Sequence, residues 1–337
     1  MKYPQKISIV KNVVITICTT FLFASCNNSN TNEEKKLIAV RLSAPKTAYS
    51  IATIIAIEKG FFKKQGLDVK IEWTQNGKQS MDALLSGSVD FATVVETNLA
   101  FAGYLNPPIS VIGCVQTIKD AAIIARKDKG INKFQDLRGK KIGVLQATTS
   151  EVFVHRMLEK NNIKPEEVVL VNLTPPAMQS AIVEGGNIQA ISTWQPYVFN
   201  VVKLLKDNGV IFEDSSVFVG YMNLVMNRGI LPKMEGVPEQ MLKAYIATEK
   251  FIQDSNDVAM NIVSRRLEMK LETIQAIWNK YRVFVELTSN TLKAIHDEGK
   301  WVKTTKKDFF AKQLPEYSKM IEPIYLKRIS IERVVIN

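Results

Sequence analysis

Strand, loop and helix signals follow one another in LIAVRLSAPKTAYSIATIIAIEK, residues 37–59. The apolar run LIAVRL is typical of a strand, SAPKT is typical of a loop, and the remainder carries apolar residues at helical spacing. A second strand (VKIEW, 69–73), a short helix (MDALL, 81–85) and a third strand (VDFATV, 89–94) complete the unit. Strands that alternate with helices predict a mostly parallel sheet with helices on its faces.

The same order of elements returns farther along the chain. The second unit consists of a strand (KIGVL, 141–145), a loop (QATTS, 146–150), a helix (151–160), a strand (VVLVN, 168–172), a short helix (MQSAI, 178–182) and a strand (IQAIS, 188–192). Two such units predict an α/β protein of two lobes, each a mixed, mostly parallel sheet flanked by helices. Because open α/β sheets bind ligands beyond the carboxyl ends of their strands, the loops of both units should line one cleft. Two lobes that face each other across a cleft can close on a solute about a hinge.

Two apolar segments flank the second unit and predict a two-stranded hinge, AAIIA (121–125) and GYMNLVMN (220–227). Lobe one is therefore expected to comprise residues 37–125 and 226–337, and lobe two residues 126–225. In this arrangement the chain leaves lobe one, builds lobe two and returns.

The stretch from Pro238 to about Lys312 carries apolar residues at helical spacing. This pattern predicts a series of amphipathic helices that pack on lobe one. A heptad coiled coil or a membrane-surface helix is the alternative, and the interruptions of the pattern argue against both.

The N-terminus has the three parts of an export signal. Lys2, Lys6 and Lys11 form a positive region, and small residues precede Cys26. Between them, residues 13–23 are apolar but shorter than the roughly 20 residues of a membrane span. This pattern is similar to a bacterial lipobox, at which a lipid is attached to the cysteine.

Residues 1–25 are accordingly predicted to be a lipoprotein signal peptide that is removed, and Cys26 is predicted to carry the lipid. The polar residues 26–36 are expected to form a flexible tether. The protein would then work outside the cytoplasm, anchored to a bacterial membrane. An ordinary cleaved signal peptide with a chance cysteine is the alternative.

Composition and charge restrict the class of protein. The chain has 337 residues, which suits two domains better than one, and 46% of them are hydrophobic and 23% charged. These values exclude disordered and fibrous proteins. The formal charge is +11, but the lysines and arginines are scattered and form no run interleaved with aromatic residues. No binding of nucleic acid is therefore expected.

The sequence lacks the usual signatures of catalysis. Cys18 lies in the predicted leader and Cys114 in an apolar run, so no disulfide is expected and Cys114 is predicted to be buried. His155 and His296 are not near cysteines or paired acids, and no nucleophile elbow, phosphate-binding loop, dinucleotide fingerprint or metal-ligand spacing occurs. We therefore expect no enzymatic activity, no cofactor and no metal site.

Four motifs in order carry a family resemblance. They are IEKGFFKKQGLDV (57–69), LLSGSVDFA (84–92), DLRGKKIGV (136–144) and WQPY (194–197). They resemble motifs of ABC-transporter solute-binding proteins for sulfonates, taurine, nitrate and thiamine pyrimidine precursors, and the likeness extends over roughly residues 37–221. The sequence departs from the family pattern at Ala147, where glycine is frequent, and at Gln189, where aspartate is more frequent.

The resemblance implies a type 2 periplasmic-binding-protein fold and a role in import. The chain would be a monomer that traps a small solute between its lobes and delivers it to an ABC permease in the membrane. The solute is expected to be an anion that resembles a sulfonate, taurine or nitrate. Binding of a thiamine pyrimidine precursor or another heterocycle is the alternative, as is a lipid-anchored receptor that feeds a membrane sensor.

Candidate ligand-binding residues follow the strands of both units. In lobe two the loop Ala147, Thr148, Thr149 and Ser150 precedes a helix, whose N–H groups and partial positive charge suit an anion. Hydroxyl groups at this position also cap helices, which is the alternative. The other candidates lie in the equivalent loops of lobe one and at the matching strand end of lobe two: Ser43, Ala44, Thr47, Tyr49, Gly77, Glu96, Thr97, Asn98, Trp194 and Gln195.

Three of these residues have specific expected roles. Tyr49 is expected to form a wall of the site. Glu96 is expected to bind a ligand amine or hydroxyl, or else to be exposed on the surface. Trp194 is expected to stack on the ligand, or else to be buried in the core.

Overall fold

The computed structural model describes residues 36–309 and 311–336. The strands of this part of the chain are β1 (Ile38–Pro45), β2 (Leu67–Thr74), β3 (Phe91–Val95), β4 (Ile109–Ile118), β5 (Ala122–Arg126), β6 (Lys141–Val144), β7 (Val169–Asn172), β8 (Ala190–Thr193), β9 (Gly209–Phe212), β10 (Gly220–Asn227), β11 (Tyr281–Thr288) and β12 (Val334–Val335). The α-helices are α1 (Ile51–Glu58), α2 (Phe61–Lys64), α3 (Gly77–Leu85), α4 (Glu96–Gly103), α5 (Thr149–Lys160), α6 (Pro175–Val183), α7 (Tyr197–Leu205), α8 (Val237–Asp254), α9 (Asn256–Leu267), α10 (Leu271–Ile277), α11 (Ser289–Thr305) and α12 (Ile324–Ile329).

The strands form two mixed sheets. One has the order β12-β11-β4-β10-β3-β1-β2 and the other β7-β6-β8-β5-β9. The parallel pairs of β1 with β2 and β3, and of β6 with β7 and β8, belong to the duplicated units that the sequence predicts. β10 runs antiparallel to β3 and β4, and β5 runs antiparallel to β8 and β9. We call the seven-stranded sheet with α1–α4 and α8–α12 lobe one, and the five-stranded sheet with α5–α7 lobe two.

The chain crosses twice between the lobes through segments that are shorter than the predicted hinge strands. Residues 119–121 connect β4 with β5, and residues 213–219 connect β9 with β10. β5 lies in lobe two and β10 in lobe one, whereas the sequence pattern predicts residues 122–125 in lobe one and residues 220–225 in lobe two. The two predicted hinge strands therefore do not pair with each other. Each is hydrogen-bonded on both sides within its own sheet, and this pairing decides to which lobe it belongs.

The C-terminal region packs on lobe one, as predicted, but it is not helical throughout. Ile246, Phe251 and Ile252 of α8 pack against the lobe-one core. β11, with the sequence YRVFVELT, interrupts the helices and pairs antiparallel with β4. Its β-branched and aromatic residues favour a strand when a sheet edge is available, and that edge is provided by residues far away in the chain.

Each lobe has apolar residues packed on its sheet. The lobe-one core includes Leu42 and Phe91, and the five-stranded sheet of lobe two is covered by two apolar clusters. Cys114 is completely buried, which confirms the prediction from the sequence. Trp194, at the end of β8, belongs to the lobe-one core although its strand lies in lobe two.

Two predictions concern a membrane. Within residues 36–309 and 311–336, no helix is long and apolar enough for a membrane span. The predicted signal peptide, the lipid attachment at Cys26 and residues 26–35 of the predicted tether lie outside the described residues.

Candidate functional site

The cleft between the lobes contains a small inner pocket and a wider outer cleft. The inner pocket is formed by strand ends and helix starts of both lobes: Pro45, Thr47, Tyr49, Gln75, Asn76, Gly77, Lys78, Val95, Asn98, Thr148, Thr149, Trp194 and Met222. Its volume is about 20 Å³, which leaves room for about one water molecule. The outer cleft has a volume of about 1140 Å³ and shares Thr47, Thr148 and Trp194 with the inner pocket.

Two α-helices from opposite lobes begin at the inner pocket. In lobe one α3 begins at Gly77, and the side chain of Asn76 caps it by accepting a hydrogen bond from the Gln79 N–H at 3.1 Å. In lobe two α5 begins at Thr149, and the Thr148 hydroxyl caps it by accepting from the Ser150 N–H at 3.3 Å. Unpaired N–H groups and partial positive charge from both lobes therefore converge on one point.

Gly77 and Asn98 fit closely against each other in this pocket. A Cβ atom at position 77 would lie 2.5 Å from Asn98 Oδ1. Asn98 is 5% exposed, and its Oδ1 has no hydrogen-bond partner within the described part of the chain. The pocket thus contains a buried polar group that a ligand can satisfy, and glycine at position 77 keeps space for it.

The floor of the pocket is aromatic and joins the two lobes. Trp194 of lobe two lies against Tyr49 of lobe one, with ring centroids 6.1 Å apart and planes inclined by 45°. Both side chains are buried. Thr149 of lobe two also lies near the Tyr49 phenol and opposes the rise in the Tyr49 pKa that burial causes.

Asp120 lies beneath this floor, in the first crossing between the lobes. Its Oδ1 accepts a hydrogen bond from the Tyr49 hydroxyl at 2.9 Å, and its Oδ2 accepts from the Tyr281 hydroxyl at 2.6 Å and from the Gln195 N–H at 3.1 Å. Burial raises the pKa of Asp120 to about 6, although these three hydrogen bonds oppose the rise. The carboxyl group holds residues of both lobes at the hinge.

The structure brings together seven of the residues predicted for the site. Thr47, Tyr49, Gly77, Asn98, Thr148, Thr149 and Trp194 all line the inner pocket. The hydroxyl of Thr148 donates to the Leu145 carbonyl and caps α5, so the capping alternative describes its hydrogen bonds.

Other predicted residues lie away from the inner pocket. Ser43 is buried in the sheet and donates to the Glu72 carbonyl at 3.3 Å, and its neighbour Ala44 is also fully buried. Ser150 donates to the Ser192 carbonyl at 2.7 Å inside lobe two. Ser43 and Ala44 occupy buried strand positions, and Ser150 bonds to a neighbouring strand. The contacts of these side chains therefore lie within one lobe.

The two remaining lobe-two candidates also have contacts of their own. Gln195 Oε1 accepts from the Phe199 N–H at 3.1 Å, at the start of α7. Ala147 lies at the edge of the cleft, beside an apolar cavity.

Glu96 and Thr97 face α11 instead of the inner pocket. Glu96 is completely buried and accepts a hydrogen bond from the Tyr221 N–H at 2.7 Å. Glu298 of α11 lies beside it and is paired with Arg156 of lobe two at 3.2 Å. Burial first, and then the neighbouring Glu298, raise the pKa of Glu96 well above its usual range, and burial raises that of Glu298 to about 7. Glu96 is therefore not exposed on the surface, and it does not line the inner pocket.

Several residues of the site are not among those that the sequence predicts. Asp120 follows Lys119 in a short charged break between two apolar strands, and an acid at a predicted crossing is a signal that could have found it. Met222 and Gln75 carried no such signal, because they reach the pocket through sheet pairing and through the turn before α3. Among the described residues no cluster of metal-ligating side chains occurs.

Comparison with known proteins places this geometry in a family. The family model described as "NMT1/THI5 like" matches residues 47–265, more than half of the chain. A taurine-binding periplasmic protein of Escherichia coli (strain K12) is 30% identical over 172 residues, which cover 51% of this chain and 52% of that protein. The chain spans about half the length of the first curated relatives it matches, between 44% and 58%.

Two solved structures share the fold. The periplasmic aliphatic sulphonate binding protein SsuA from Escherichia coli superimposes with a TM-score of 0.72 at 16% identity, over 84% of this chain and 97% of that chain. The alkanesulfonate-binding protein SsuA from Xanthomonas axonopodis pv. citri, bound to MOPS, gives a TM-score of 0.73 at 13% identity, over 86% and 99%. These relatives are all named as binding proteins, which agrees with the absence of catalytic motifs. On the match over residues 47–265, the chain belongs to the NMT1/THI5-like family, and its two lobes have the periplasmic-binding-protein fold.

Proposed function

We propose that this chain is the solute-binding component of an ABC-type importer and that its lobes close on a small organic sulfonate. The observation that carries the proposal is the meeting of α3 from lobe one and α5 from lobe two at one buried pocket. This pocket shares Thr47, Thr148 and Trp194 with the outer cleft, which has room for an organic sulfonate. Helix N-termini attract anions through their unpaired N–H groups and partial positive charge. A taurine-binding relative and two sulfonate-binding structural neighbours support the same class of ligand.

The inner pocket offers neutral donors and almost no cationic charge. Lys78 is the one charged residue among the described residues that line it, and its ammonium pairs with Asp82 at 2.7 Å. The backbone N–H groups at the helix starts are left to hold the anion, while the unpaired Asn98 Oδ1, an acceptor, can bind only a donor such as the ammonium of taurine. Hydrogen bonds to an ionised acceptor are roughly twice as strong as neutral ones, and a sulfonate has three oxygens to receive them.

An apolar side pocket of about 200 Å³ lies next to the inner pocket and shares Lys78 and Asn98 with it. Its apolar walls are Met81, Leu85, Phe101, Ala102, Leu105, Ala147 and Phe309. A hydrocarbon or aromatic group attached to the anion would leave water there, with a gain of roughly 25 cal/mol per Å² of buried apolar surface. This geometry favours an organic sulfonate over an inorganic anion such as nitrate.

Ligand binding is expected to raise the melting temperature. At about 100 times its Kd, a ligand that binds only the folded chain adds about 2.7 kcal/mol to the free energy of unfolding, which corresponds to roughly 5–10 °C. A thermal-shift series should rank hexanesulfonate above taurine, and taurine above nitrate. Hexanol and ethanolamine, which lack the sulfonate, are the matched controls. A rise with a neutral pyrimidine and with none of the sulfonates would contradict the proposal.

The location and the partner are part of the same proposal. The chain would work outside the cytoplasm, held to a bacterial membrane by a lipid on Cys26, and would deliver its ligand to a membrane permease. Labelled palmitate is expected to enter the wild-type chain in its bacterial host and not the Cys26→Ser variant. Equal labelling of the two chains would exclude the lipid anchor.

A further inference from the structure

A buried ion pair connects the lobes beside the ligand pocket. Glu151 lies in the first turn of α5 in lobe two, and its side chain is 4% exposed. It forms a salt bridge with Lys306, which follows α11 in lobe one. Charged side chains are seldom buried to this degree unless they are paired, so this contact belongs to the state in which the lobes touch.

The same carboxylate holds a loop of the ligand pocket. Glu151 Oε2 accepts a hydrogen bond from the Ala147 N–H at 2.9 Å, and Oε1 faces Lys306. Ala147 has a φ of +59°, a left-handed conformation that is strained for a residue with a Cβ. Thr148 and Thr149, which line the pocket, follow directly. The carboxylate of Glu151 therefore stabilises the strained residue from which the pocket loop continues.

Lys306 is itself held in place by lobe one. Its ammonium lies 5.5 Å from the centre of the Trp301 ring, and Trp301 also contacts His155 of α5, with ring centroids 5.4 Å apart. α11 packs along α4, so these groups move with lobe one. Separation of the lobes would remove Lys306 from Glu151 and expose the carboxylate to water.

We propose that Lys306 and Glu151 are positioning residues that couple closure of the lobes to the conformation of the pocket loop. When the lobes meet, Lys306 fixes the carboxylate of Glu151, and the carboxylate fixes the N–H of Ala147. The loop then presents Thr149 and the start of α5 to the ligand only in the closed state. This inference rests on the proposed function for the role of the ligand, but the coupling itself can be measured without one.

The first test measures hydrogen exchange of the Ala147 amide by NMR, in the ligand-free full chain with isotope-labelled alanine. Lys306→Met is expected to accelerate exchange of this amide by about tenfold, because Glu151 loses the group that orients it. Lys306→Arg keeps the charge, and exchange of the Ala147 amide should remain as slow as in the wild type. Lys293→Met is the matched control, since Lys293 pairs with Asp297 inside α11 and makes no ion pair between the lobes within the described part of the chain. Wild-type exchange in Lys306→Met would overturn the proposal.

A double variant with exchanged charges distinguishes a positioning role of Glu151 from an ion pair that only holds the lobes together. In Glu151→Lys with Lys306→Glu the ion pair is restored, but a lysine at position 151 cannot accept a hydrogen bond from the Ala147 N–H. Exchange at Ala147 should stay fast in this double variant. A return to the wild-type rate would mean that the pair only holds the lobes together, and the positioning role would be wrong.

The ligand provides a third, separate measurement. In stopped-flow experiments with taurine, Lys306→Met should raise the dissociation rate about tenfold and change the association rate less than about twofold, because the pair forms after the ligand has entered. If the wild-type chain binds none of the sulfonates, the proposed function fails, while the exchange experiment still decides the coupling. If the wild-type chain binds and Lys306→Met dissociates at the wild-type rate, the coupling has no part in retention of the ligand and the inference is overturned.

Discussion

Gly77→Ala is expected to lower the affinity for taurine or hexanesulfonate by at least about tenfold while the protein remains folded. The new Cβ would lie 2.5 Å from Asn98 Oδ1, so either the asparagine or the start of α3 must move. Overpacking of this kind costs about 1–3 kcal/mol, and each 1.4 kcal/mol lost from binding lowers the affinity tenfold. Isothermal titration calorimetry measures this change directly.

The fold should tolerate the substitution, because Gly77 does not need a left-handed conformation and alanine favours a helix more than glycine does. Gly186→Ala in lobe two is the matched control: its Cβ would meet only the Ala181 carbonyl oxygen, at an ordinary distance of 3.7 Å. This control should bind like the wild type. Unchanged affinity in Gly77→Ala would remove the inner pocket from the proposed binding site.

Asp120→Ala is expected to lower the free energy of unfolding by about 3 kcal/mol or more. Two tyrosine hydroxyls and the Gln195 N–H would lose their acceptor in a buried place, and each unsatisfied group costs about 1–3 kcal/mol. Asp120→Asn keeps an oxygen acceptor and should cost much less. Urea unfolding compares the two variants. Equal stability of wild type and Asp120→Ala would show that the acceptor does not stabilise the hinge.

The same carboxyl group predicts a pH dependence. Folding raises its pKa from 3.8 to about 6, so between these values the folded chain binds more protons here than the unfolded chain. The contribution of Asp120 to the free energy of unfolding therefore falls by about 2 kcal/mol as the pH rises from about 4 to 7. Relative to Asp120→Asn, the wild type should be less stable at pH 7 than at pH 4 by roughly this amount. Glu96 and Glu298 titrate in both proteins, so the difference between the proteins isolates Asp120.

The site was predictable where a residue's role depends on its own loop. Thr148 and Thr149 precede a helix in a strand–loop–helix pattern, and the structure has them at the start of α5 beside the pocket. Ser150 belongs to the same loop and has the same chemistry, but it bonds to β8 inside lobe two. Glu96 follows a strand as the pattern requires, yet its side chain turns towards α11. No local pattern distinguishes these cases, because the direction of each side chain depends on neighbours brought together from distant parts of the chain.

The two strand–helix units and their two α/β lobes follow from the sequence, because apolar periodicity and loop residues act over a few positions and are repeated in both units. Contacts between distant parts of the chain put β5 in lobe two, join β10 and β11 to lobe one and connect the lobes through Asp120 at the hinge. Sheet pairing satisfies backbone groups across long separations in sequence, and the burial of Asp120 follows from elements of both lobes that pack around it. The predicted cleft therefore became a specific pocket only when Gly77 of one lobe and Thr149 of the other met at the same point.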